Sequence, residues 1–425
     1  ADAGIAGVAH RRRAAKPDLQ HRRLCLGEAS GNLVEELVRQ SQLHVISVMA
    51  NRGKTGVLRD QLDKAGIYGD RAAIVVEDQA QVMLPPYMAS LIVVDDPMGS
   101  AFDEQFIAGL FETLRPYGGV ACLHGTRLAA MAESANLPGA EVVRAVEGDW
   151  TLLRRVGPLP GAGSWTHQYA DAANTVVSKD SLVRTPLGLL WFGGASNTSI
   201  LPRHGHGPPE QIVGGRLFIE GPDSIRAQDV YTGRLLWERD LPGFGKVYDN
   251  TSHQPGANSL GSNYSSATDA VYAAYGDRCL VLDPATGETT AEFQLPPAEG
   301  EDKPQAWGFL SVYEDLLIAG ASPIVFDGEL PIGVKDNWDA TSSAQIVVMD
   351  RHSGQVLWTF TCKLAFRHNT ICIADGRLFC IDRLPDAIVA KMDRRGDETE
   401  PPARLLALDA RTGQELWTAT EDVFG

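Results

Sequence analysis

The fold of the C-terminal part is decided by a nine-residue stretch that reads DRHSGQVLW at residues 350–358. Similar stretches occur at residues 229–237 (DVYTGRLLW) and 409–417 (DARTGQELW), and a shorter copy, DPATG, occupies residues 283–287. Where the other copies have tryptophan, the shorter copy has Ala291. A stretch that returns in this way indicates an array of similar structural units.

Each copy predicts a tight turn between two β-strands. The aspartate ends an apolar strand, its side chain and that of the following threonine or serine bond to the turn backbone, and the glycine allows a positive φ. The strand after the turn carries the tryptophan, which we expect to pack between neighbouring sheets. Trp237, Trp358 and Trp417 are therefore predicted to be equivalent and mostly buried. Another strand pair precedes each copy, and four strands per unit are typical of propeller blades.

This repeat resembles that of quinoprotein dehydrogenases and of the outer-membrane-assembly propeller lipoprotein. The stretch WTHQ at residues 165–168, with Asp171, Asn174 and Thr175, is similar to the segment with which those propellers begin. The resemblance covers residues 165–425 and implies an all-β propeller of PQQ-like repeats. Because full relatives have more blades than the about four or five that this length holds, we expect an incomplete propeller and a fragment of a longer protein.

A different pattern runs through residues 22–156, where short apolar strands alternate with amphipathic helices. The strand RLCLG at residues 23–27 leads into a glycine-containing turn and a helix, which is how a nucleotide-binding unit begins. Continued alternation predicts an α/β doubly wound domain with a parallel sheet. The last two strands, at residues 141–146 and 150–156, flank the turn EGD and predict a closing hairpin.

The chain of 425 residues has room for two or three domains. We interpret residues 1–21 as a basic tail and residues 157–164, GPLPGAGS, as a linker. The sequence therefore predicts a multidomain protein with an N-terminal domain at residues 22–156 and a propeller at residues 165–425.

The order of elements in the N-terminal domain resembles that of class I methyltransferases that depend on S-adenosylmethionine (SAM). The stretch LGEASG at residues 26–31 is similar to their first motif, and LRPYGGV at residues 114–120 to the segment before their fifth strand. The resemblance implies a Rossmann-like fold with SAM as a possible cofactor. It places the cofactor against five positions, which are Gly27, Ala29, Gly31, Met49 and Asp78.

Several of these positions depart from the family pattern. Ala29 replaces the central glycine, Cys25 replaces the acid before the first glycine, and Met49 replaces the acid that holds the ribose hydroxyls. A thioether is only a weak hydrogen-bond acceptor, so binding through the ribose should be lost. Asp78 matches the acid that often faces the adenine. The stretch DDPM at residues 95–98 keeps only the proline of the motif found in N-methylating members, and its aspartates are typical of a helix N-cap.

Neither cofactor chemistry nor a metal site is well supported in the propeller. It has no adjacent cysteine pair and no acid that aligns with the catalytic base of quinoprotein dehydrogenases, so we do not expect PQQ to bind. His204 and His206 alternate in a loop and are candidate metal ligands, which His253 and His368 could join, although an ordinary turn is the other interpretation. The loop DNWD at residues 336–339 is a similar candidate for a cation or a plain turn.

The net charge of −16 disfavours nucleic-acid binding, and no apolar run is long enough to span a membrane. We favour a binding or scaffold protein in which the propeller and a degenerate methyltransferase-like domain meet a protein partner or the missing remainder of the propeller. The alternatives are an active SAM-dependent methyltransferase with a propeller accessory domain and a quinoprotein oxidoreductase. Enzyme activity stays open because neither motif set is intact. We expect an extracytoplasmic, periplasmic location, although no signal peptide is visible.

Overall fold

The structure is a computed structural model with two compact units. It describes residues 22–26, 30–41, 43–95, 102–146, 148–201, 207–249, 256–324, 341–384, 386–396 and 402–423. The first unit comprises residues 1–162, 184–192 and 231–234, and the second comprises residues 163–183, 193–230 and 235–425. Among the residues that the structure describes, no helix is long and apolar enough to cross a membrane.

The N-terminal part of the first unit is a mixed α/β sheet. Its strands are β1 (Arg22–Leu26), β2 (His44–Met49), β3 (Ala72–Val76), β4 (Leu91–Val94), β5 (Gly119–His124), β6 (Ala140–Arg144) and β7 (Trp150–Arg155). Its helices are α1 (Ser30–Gln40), α2 (Arg52–Lys64), α3 (Glu104–Thr113) and α4 (Thr126–Ser134). The strand order is β3-β2-β1-β4-β5-β7-β6, with β1 to β5 parallel and β7 antiparallel to both neighbours. The predicted closing hairpin is thus confirmed.

Capping side chains begin two of the helices, α2 and α3, and apolar stripes hold the helices to the sheet. The N–H of Lys54 donates to the side chain of Asn51 and starts α2, which leaves Leu58 and Leu62 buried. Asp103 caps α3 in the same way, whereas residues 96–98 of the stretch that suggested a helix cap lie outside the described residues. Because side chains three and four residues apart share one helix face, each helix contributes a continuous apolar surface.

The second unit is β-rich. Strands β8 (Gln211–Val213), β9 (Arg216–Glu220), β10 (Ser224–Asp229) and β11 (Leu235–Asp240) form sheet 1, and β12 (Tyr264–Ser266), β13 (Val271–Tyr275), β14 (Arg278–Leu282) and β15 (Thr289–Gln294) form sheet 2. Sheet 3 contains β16 (Trp307–Tyr313), β17 (Leu316–Pro323), β18 (Ser342–Asp350) and β19 (Val356–Arg367), and sheet 4 contains β20 (Cys372–Ala374), β21 (Arg377–Asp382), β22 (Arg404–Asp409) and β23 (Glu415–Ala419). A single pair, Phe366 with Asp382, joins sheets 3 and 4. Helices α5 (Ala257–Leu260) and α6 (Asp386–Arg395) and a 3₁₀ helix (His368–Thr370) lie between strands.

Each of the four sheets is an antiparallel meander whose last two strands are joined by the repeat turn. The carboxylate of Asp283 accepts from the N–H groups of Ala285 and Thr286 at 2.7 and 2.8 Å. Asp350 and Asp409 make the equivalent bonds. The turn glycines have φ between 68° and 72°. The predicted turn chemistry is therefore confirmed at these three turns.

Neighbouring sheets pack face to face through three apolar clusters. The cluster between sheets 1 and 2 includes Phe218, Trp237, Tyr264 and Leu280. The cluster between sheets 2 and 3 includes Tyr272, Phe293, Leu317 and Met349. The cluster between sheets 3 and 4 includes Ile318, Ile346, Leu378 and Leu406. Each sheet thus packs against the sheet that follows it in the sequence, as in repeat proteins. The chain is multidomain, with one mixed α/β part and one β-rich part made of similar antiparallel sheets.

Candidate functional site

The structure describes three of the five positions at which the methyltransferase resemblance places SAM. Gly27 and Ala29 lie outside the described residues, whereas Gly31 lies in the first turn of α1. Met49 ends β2, is 3% exposed and packs in an apolar cluster with Leu58. The side chain at the ribose position is therefore part of the hydrophobic core and offers no strong acceptor for a hydroxyl group.

Asp78 follows β3 and is bound within its own turn. Its Oδ1 accepts from the N–H of Ala80 at 3.0 Å, and the side chain of Glu77 accepts from the N–H of Asp78 at 3.1 Å. Asp78 is exposed. Of the described positions, Asp78 is the one whose carboxylate could bind a nucleoside, and one of its oxygens already accepts a hydrogen bond within its own turn.

A polar pair that the sequence reasoning missed lies at the carboxyl ends of β4 and β5. Oδ1 of Asp95 lies 2.9 Å from Nδ1 of His124, and both side chains are about one-fifth exposed. The His124 ring stacks on Trp150, with centroids 4.5 Å apart and an interplanar angle of 12°. Open α/β sheets bind ligands at this edge. An Asp–His pair there has the groups needed for proton transfer.

A sequence signal for this pair does exist. Asp95 directly follows β4 and His124 ends β5, and the carboxyl ends of adjacent parallel strands lie at the same sheet edge. The hairpin then brings Trp150 opposite His124 in the strand register. The sequence signal for the pair is thus an aspartate and a histidine at the ends of two neighbouring strands.

The predicted metal ligands are not brought together within the described residues. Residues 204, 206, 253 and 336–339, which include His204 and His206, lie outside them. His368 is 1% exposed, its Nδ1 lies 2.6 Å from the carbonyl oxygen of Leu260, and its Nε2 lies 2.7 Å from Oγ of Ser343. Burial lowers the pKa of His368 to about 4. With both ring nitrogens bonded, this neutral histidine has no nitrogen left for a metal, and no cluster of three or more ligating side chains occurs in the described part of the chain.

Residues 165–174, here called the inner strap, touch the first strand of all four sheets. The contacts are Trp165 with Ile212 in β8, Thr166 with Ser266 in β12, His167 with Val312 in β16, and Ala172 with Ile373 in β20. These hydrogen bonds are 2.7 to 3.1 Å long. The first strands of the sheets are therefore gathered along one segment.

His167 is the buried centre of the inner strap. Its Nε2 accepts from the N–H of Val312 at 3.1 Å, and its Nδ1 lies 2.8 Å from Oγ1 of Thr166. Burial lowers the pKa of His167 to about 4, so the ring is neutral at physiological pH. The accepted N–H bond requires this neutral form.

A narrow cavity lies beside the inner strap. Its lining residues are His167, Gln168, Tyr169, Asn174, Ser262, Tyr264, Phe309, Leu310, Ser311, His368 and Asn369. Among the described residues, this lining includes no carboxylate, lysine or arginine. PQQ carries several carboxylates and works with a bound cation, and a buried charge needs a charged or coordinating partner. The residues of this cavity therefore do not fit that cofactor.

The aromatic side chains of the repeat cover the turn glycines of the following sheet. The four pairs are Trp191 on Gly233, Trp237 on Gly287, Phe293 on Gly354, and Trp358 on Gly413. A Cβ placed on Gly287 would lie 2.5 Å from Cε3 of Trp237, and one on Gly413 would lie 2.6 Å from Cδ2 of Trp358. We call each pair a ring-on-turn contact. Glycine is needed at these turns both for its positive φ and for the space that the ring occupies.

Two members of this set differ from the sequence interpretation. Where Ala291 replaces tryptophan, Phe293 provides the ring, since side chains two residues apart lie on the same face of a strand. Trp191 was not recognised as a repeat residue, although LLW at residues 189–191 recurs at residues 235–237.

The predicted burial is confirmed for Trp237, which is 8% exposed and whose Nε1 donates to the carbonyl oxygen of Pro284 at 3.0 Å. Trp358 is half-buried and donates in the same way to the carbonyl oxygen of Ala410 at 3.0 Å. The prediction is wrong for Trp417, which is 45% exposed. The difference arises because no described turn follows sheet 4.

Comparisons with known proteins find the same two classes that the sequence resembles. A family model described as "Outer membrane protein assembly factor BamB" matches residues 280–423. No curated protein matches the chain. The quinohemoprotein alcohol dehydrogenase from Comamonas testosteroni is similar at 15% identity and a TM-score of 0.41, over 62% of this chain and 42% of that one. The chain thus spans less than half of that enzyme.

The methyltransferase-like structures match the N-terminal part. A protein described as an S-adenosyl-L-methionine-dependent methyltransferase from Methanococcus maripaludis is 14% identical, with a TM-score of 0.31, over 37% of this chain and 84% of that one. A SAM-dependent methyltransferase from Aquifex aeolicus is 14% identical, with a TM-score of 0.27, over 32% and 82%. The chain is similar to both classes of protein.

Proposed function

We propose that this chain is a binding or scaffold protein whose methyltransferase-like domain does not use SAM. The observation that carries this proposal is the position of Met49. A carboxylate at the end of β2 would accept charge-assisted hydrogen bonds from the ribose, each worth roughly 1.5–3 kcal/mol. Met49 offers neither the charge nor an exposed side chain. Recovering the bonds would require a new side chain and a rearranged core.

The surroundings of Met49 support the same conclusion. Its cluster includes Leu58 and Leu62 of α2, so the side chain helps to hold this helix on the sheet. Asp78, which would face the adenine, is already bonded to Ala80. A cofactor that relied on Asp78 alone would have lost most of its polar contacts, and the expected affinity is millimolar or weaker.

The propeller-like part supports a binding role more than an oxidoreductase role. Within the part of the chain that the structure describes, the cavity beside the inner strap is lined by no charged residue for a quinone cofactor or its cation. Long segments between the sheets and the exposed side of β23 provide surface for a partner. We also propose an extracytoplasmic location, which the match to an outer-membrane-assembly family model supports.

The proposal is tested by adding SAM to the full chain. At 1 mM ligand, a dissociation constant of about 10 μM would stabilise the protein by about 2.7 kcal/mol and raise its melting temperature clearly. We expect no measurable shift and no heat of binding in calorimetry. Micromolar binding, lost in an Asp78→Asn variant, would overturn the proposal and show a working cofactor site.

The Asp95–His124 pair favours a second candidate, an active methyltransferase. In that case His124 would serve as a general base at the carboxyl edge of the sheet, oriented by Asp95. Transfer of a labelled methyl group should then be lost in His124→Gln while SAM binding is retained. Absence of methyl transfer to any substrate class offered, together with absent SAM binding, leaves the binding role.

A further inference from the structure

Two buried oxygen atoms in the second unit have no hydrogen-bond partner among the described residues. They are Oε2 of Glu220, at the end of β9, and Oδ1 of Asn263, which directly precedes β12. The two side chains are already joined, because Nδ2 of Asn263 donates to Oε1 of Glu220 at 2.7 Å. A buried acceptor that lacks a donor destabilises the folded state, so native structures rarely leave one unsatisfied.

The orientation of the Asn263 amide is fixed by a second hydrogen bond. Nδ2 also donates to the carbonyl oxygen of Phe244 at 3.2 Å. A half-turn of the amide would exchange its donor for its acceptor and break both bonds. Oδ1 of Asn263 therefore stays an acceptor beside the carboxyl group of Glu220.

The carboxyl group of Glu220 is a departure from the repeat. When the second strands of the four sheets are aligned by their register with the third strands, Ala274, Gly320 and Ile381 occupy the position of Glu220. None of these three residues has a polar side chain, so the packing of one sheet on the next does not need a carboxyl group here. The acid is therefore particular to sheet 1.

We propose that Glu220 holds a proton on Oε2 and donates it to Oδ1 of Asn263, and that this acid–amide pair is a pH-sensitive switch for residues 241–249. One proton then satisfies both of the oxygen atoms that lack a partner, because a protonated carboxyl group is a donor as well as an acceptor. The acid and the amide form a cyclic pair with one hydrogen bond in each direction. Residues 241–249, here called the connecting segment, join β11 to the residues before α5.

The surroundings of the acid–amide pair favour the protonated acid. The titratable groups that interact with Glu220 are Tyr248 and Tyr264, whose hydroxyls donate at 2.7 Å to the carbonyl oxygens of Gly261 and Pro209. The charged side chains of the neighbouring elements are engaged elsewhere or exposed: Arg226 pairs with Glu238, Lys246 pairs with Asp223, Arg239 donates to Thr289, and Glu210, Asp240 and Asp249 are exposed. Burial raises the pKa of Glu220 well above its ordinary value, and the hydrogen bond that its Oε1 accepts lowers this pKa by less.

The connecting segment lies against the acid–amide pair. Nδ2 of Asn263 binds the carbonyl oxygen of Phe244, and a Cβ on Gly245 would lie 3.1 Å from Oε1 of Glu220. Ionisation releases the proton of Oε2 to solvent and leaves two acceptors side by side without a donor. Because a buried charge without a partner is costly, water must then reach the carboxylate. The segment that covers the carboxylate has to open for this to happen.

The switch is therefore closed at low pH and opens as the pH rises. In the open form the carboxyl group is in water and ionises near its ordinary pKa of 4.5, whereas the closed form keeps the proton to higher pH. The equilibrium constant for opening should rise by up to about tenfold per pH unit between these two pKa values, and level off above the higher one.

Infrared spectroscopy of the full chain tests the pairing. At about pH 6 ordinary carboxyl groups are ionised, so the carbonyl band of a protonated carboxyl should be present in the parent and absent from Glu220→Gln. Asn263→Leu should move this band to higher frequency, because the acid loses both of its hydrogen bonds to the amide. A parent without the band, or an unchanged band in Asn263→Leu, would overturn the proposal.

A bound cation is the other way to satisfy the two oxygen atoms, and added calcium tests for it. If the proton is the occupant, millimolar calcium should leave the melting temperature of the parent unchanged. A melting temperature that calcium raises in the parent but not in Glu220→Gln would mean that a cation binds these oxygens, and the proposal would fail.

Hydrogen exchange of the connecting segment, measured by mass spectrometry from about pH 5 to about pH 8, tests the switch. After correction for the intrinsic exchange rate at each pH, protection should fall with rising pH in the parent. It should fall equally in Glu210→Gln, which removes an exposed carboxyl group. In Glu220→Gln protection should not change with pH, because the new amide is a permanent donor to Oδ1 of Asn263. Constant protection in the parent, or an equal fall in Glu220→Gln, would contradict the switch.

Discussion

The contact between sheets 1 and 2 and the outer face of sheet 4 contain the same repeat residues in different surroundings. Trp237 and Trp417 each follow a glycine turn and lie about 6 Å from a phenylalanine of their own sheet. One is buried and the other is 45% exposed. Each interface between sheets therefore has two parts of the repeat: the ring comes from one sheet, and the turn that packs on it comes from the next sheet.

The largest expected effect separates the two tryptophans. Trp237→Ala should lower the free energy of unfolding by about 3–5 kcal/mol, the usual cost of removing a core tryptophan. Trp417→Ala should cost less than about 1 kcal/mol, because an exposed ring loses little on truncation. Urea unfolding of the two variants measures both. Equal losses would mean that the exposure difference has no energetic consequence.

A smaller effect should distinguish two turn glycines. Gly287 and Gly276 have φ of 70° and 68°, but a Cβ on Gly287 would meet Trp237, whereas one on Gly276 would meet nothing within 4 Å. Gly276→Ala should cost about 1 kcal/mol for the backbone conformation. Gly287→Ala should cost about 1–3 kcal/mol more because the ring is displaced. If the melting curves of both variants coincide, the ring-on-turn contact does not depend on glycine for space.

The smallest effect concerns a carboxyl group at the same filled interface. Glu220 of sheet 1 is buried, its Oε1 accepts from Nδ2 of Asn263 at 2.7 Å, and its Oε2 has no hydrogen-bond partner among the described residues. Burial raises the pKa of Glu220 well above 4.5. A raised pKa in the folded state means that the unfolded state releases its proton first, so stability is full below about pH 4.5 and falls as pH rises through the folded pKa.

Glu220→Gln should remove this part of the pH dependence, since an amide keeps the shape without ionising. The free energy of unfolding of the variant, relative to the parent, should increase from pH 5 to pH 8. Glu210→Gln is the control, because this substitution removes the same charge from an exposed side chain. A parallel pH dependence in the parent and in Glu220→Gln would show that the carboxyl is ionised in the folded protein.

Local chemistry explains which features could be predicted from the sequence. The repeat turns follow from Asp, Thr or Ser and Gly at fixed spacing, because those side chains bond to backbone groups two and three residues away. The closing hairpin of the N-terminal sheet follows from two adjacent strands with a short turn between them. The expectation that Met49 weakens cofactor binding also follows from the residue type, since the chemistry of a thioether does not depend on the fold.

Tertiary structure decided the features that join residues far apart in the chain. Packing places Oδ1 of Asp95 2.9 Å from Nδ1 of His124 at the ends of two neighbouring strands, a contact that depends on how the sheet is assembled. The strand period lets Phe293 replace a tryptophan two positions earlier, because only the face on which a ring lies matters to the next sheet. His368 became unavailable to a metal once Leu260 and Ser343 occupied both of its nitrogens.

The sequence by itself determined the turns, the alternation of strands and helices, and the resemblance to two classes of protein, because each rests on interactions between residues close in the chain. Only the tertiary structure decided that Trp237 is buried and Trp417 is exposed. The two lie in nearly identical stretches, so no local property distinguishes them. Burial depends on whether a neighbouring sheet removes water from the ring; sheet 2 does so for Trp237, and none of the described sheets does so for Trp417.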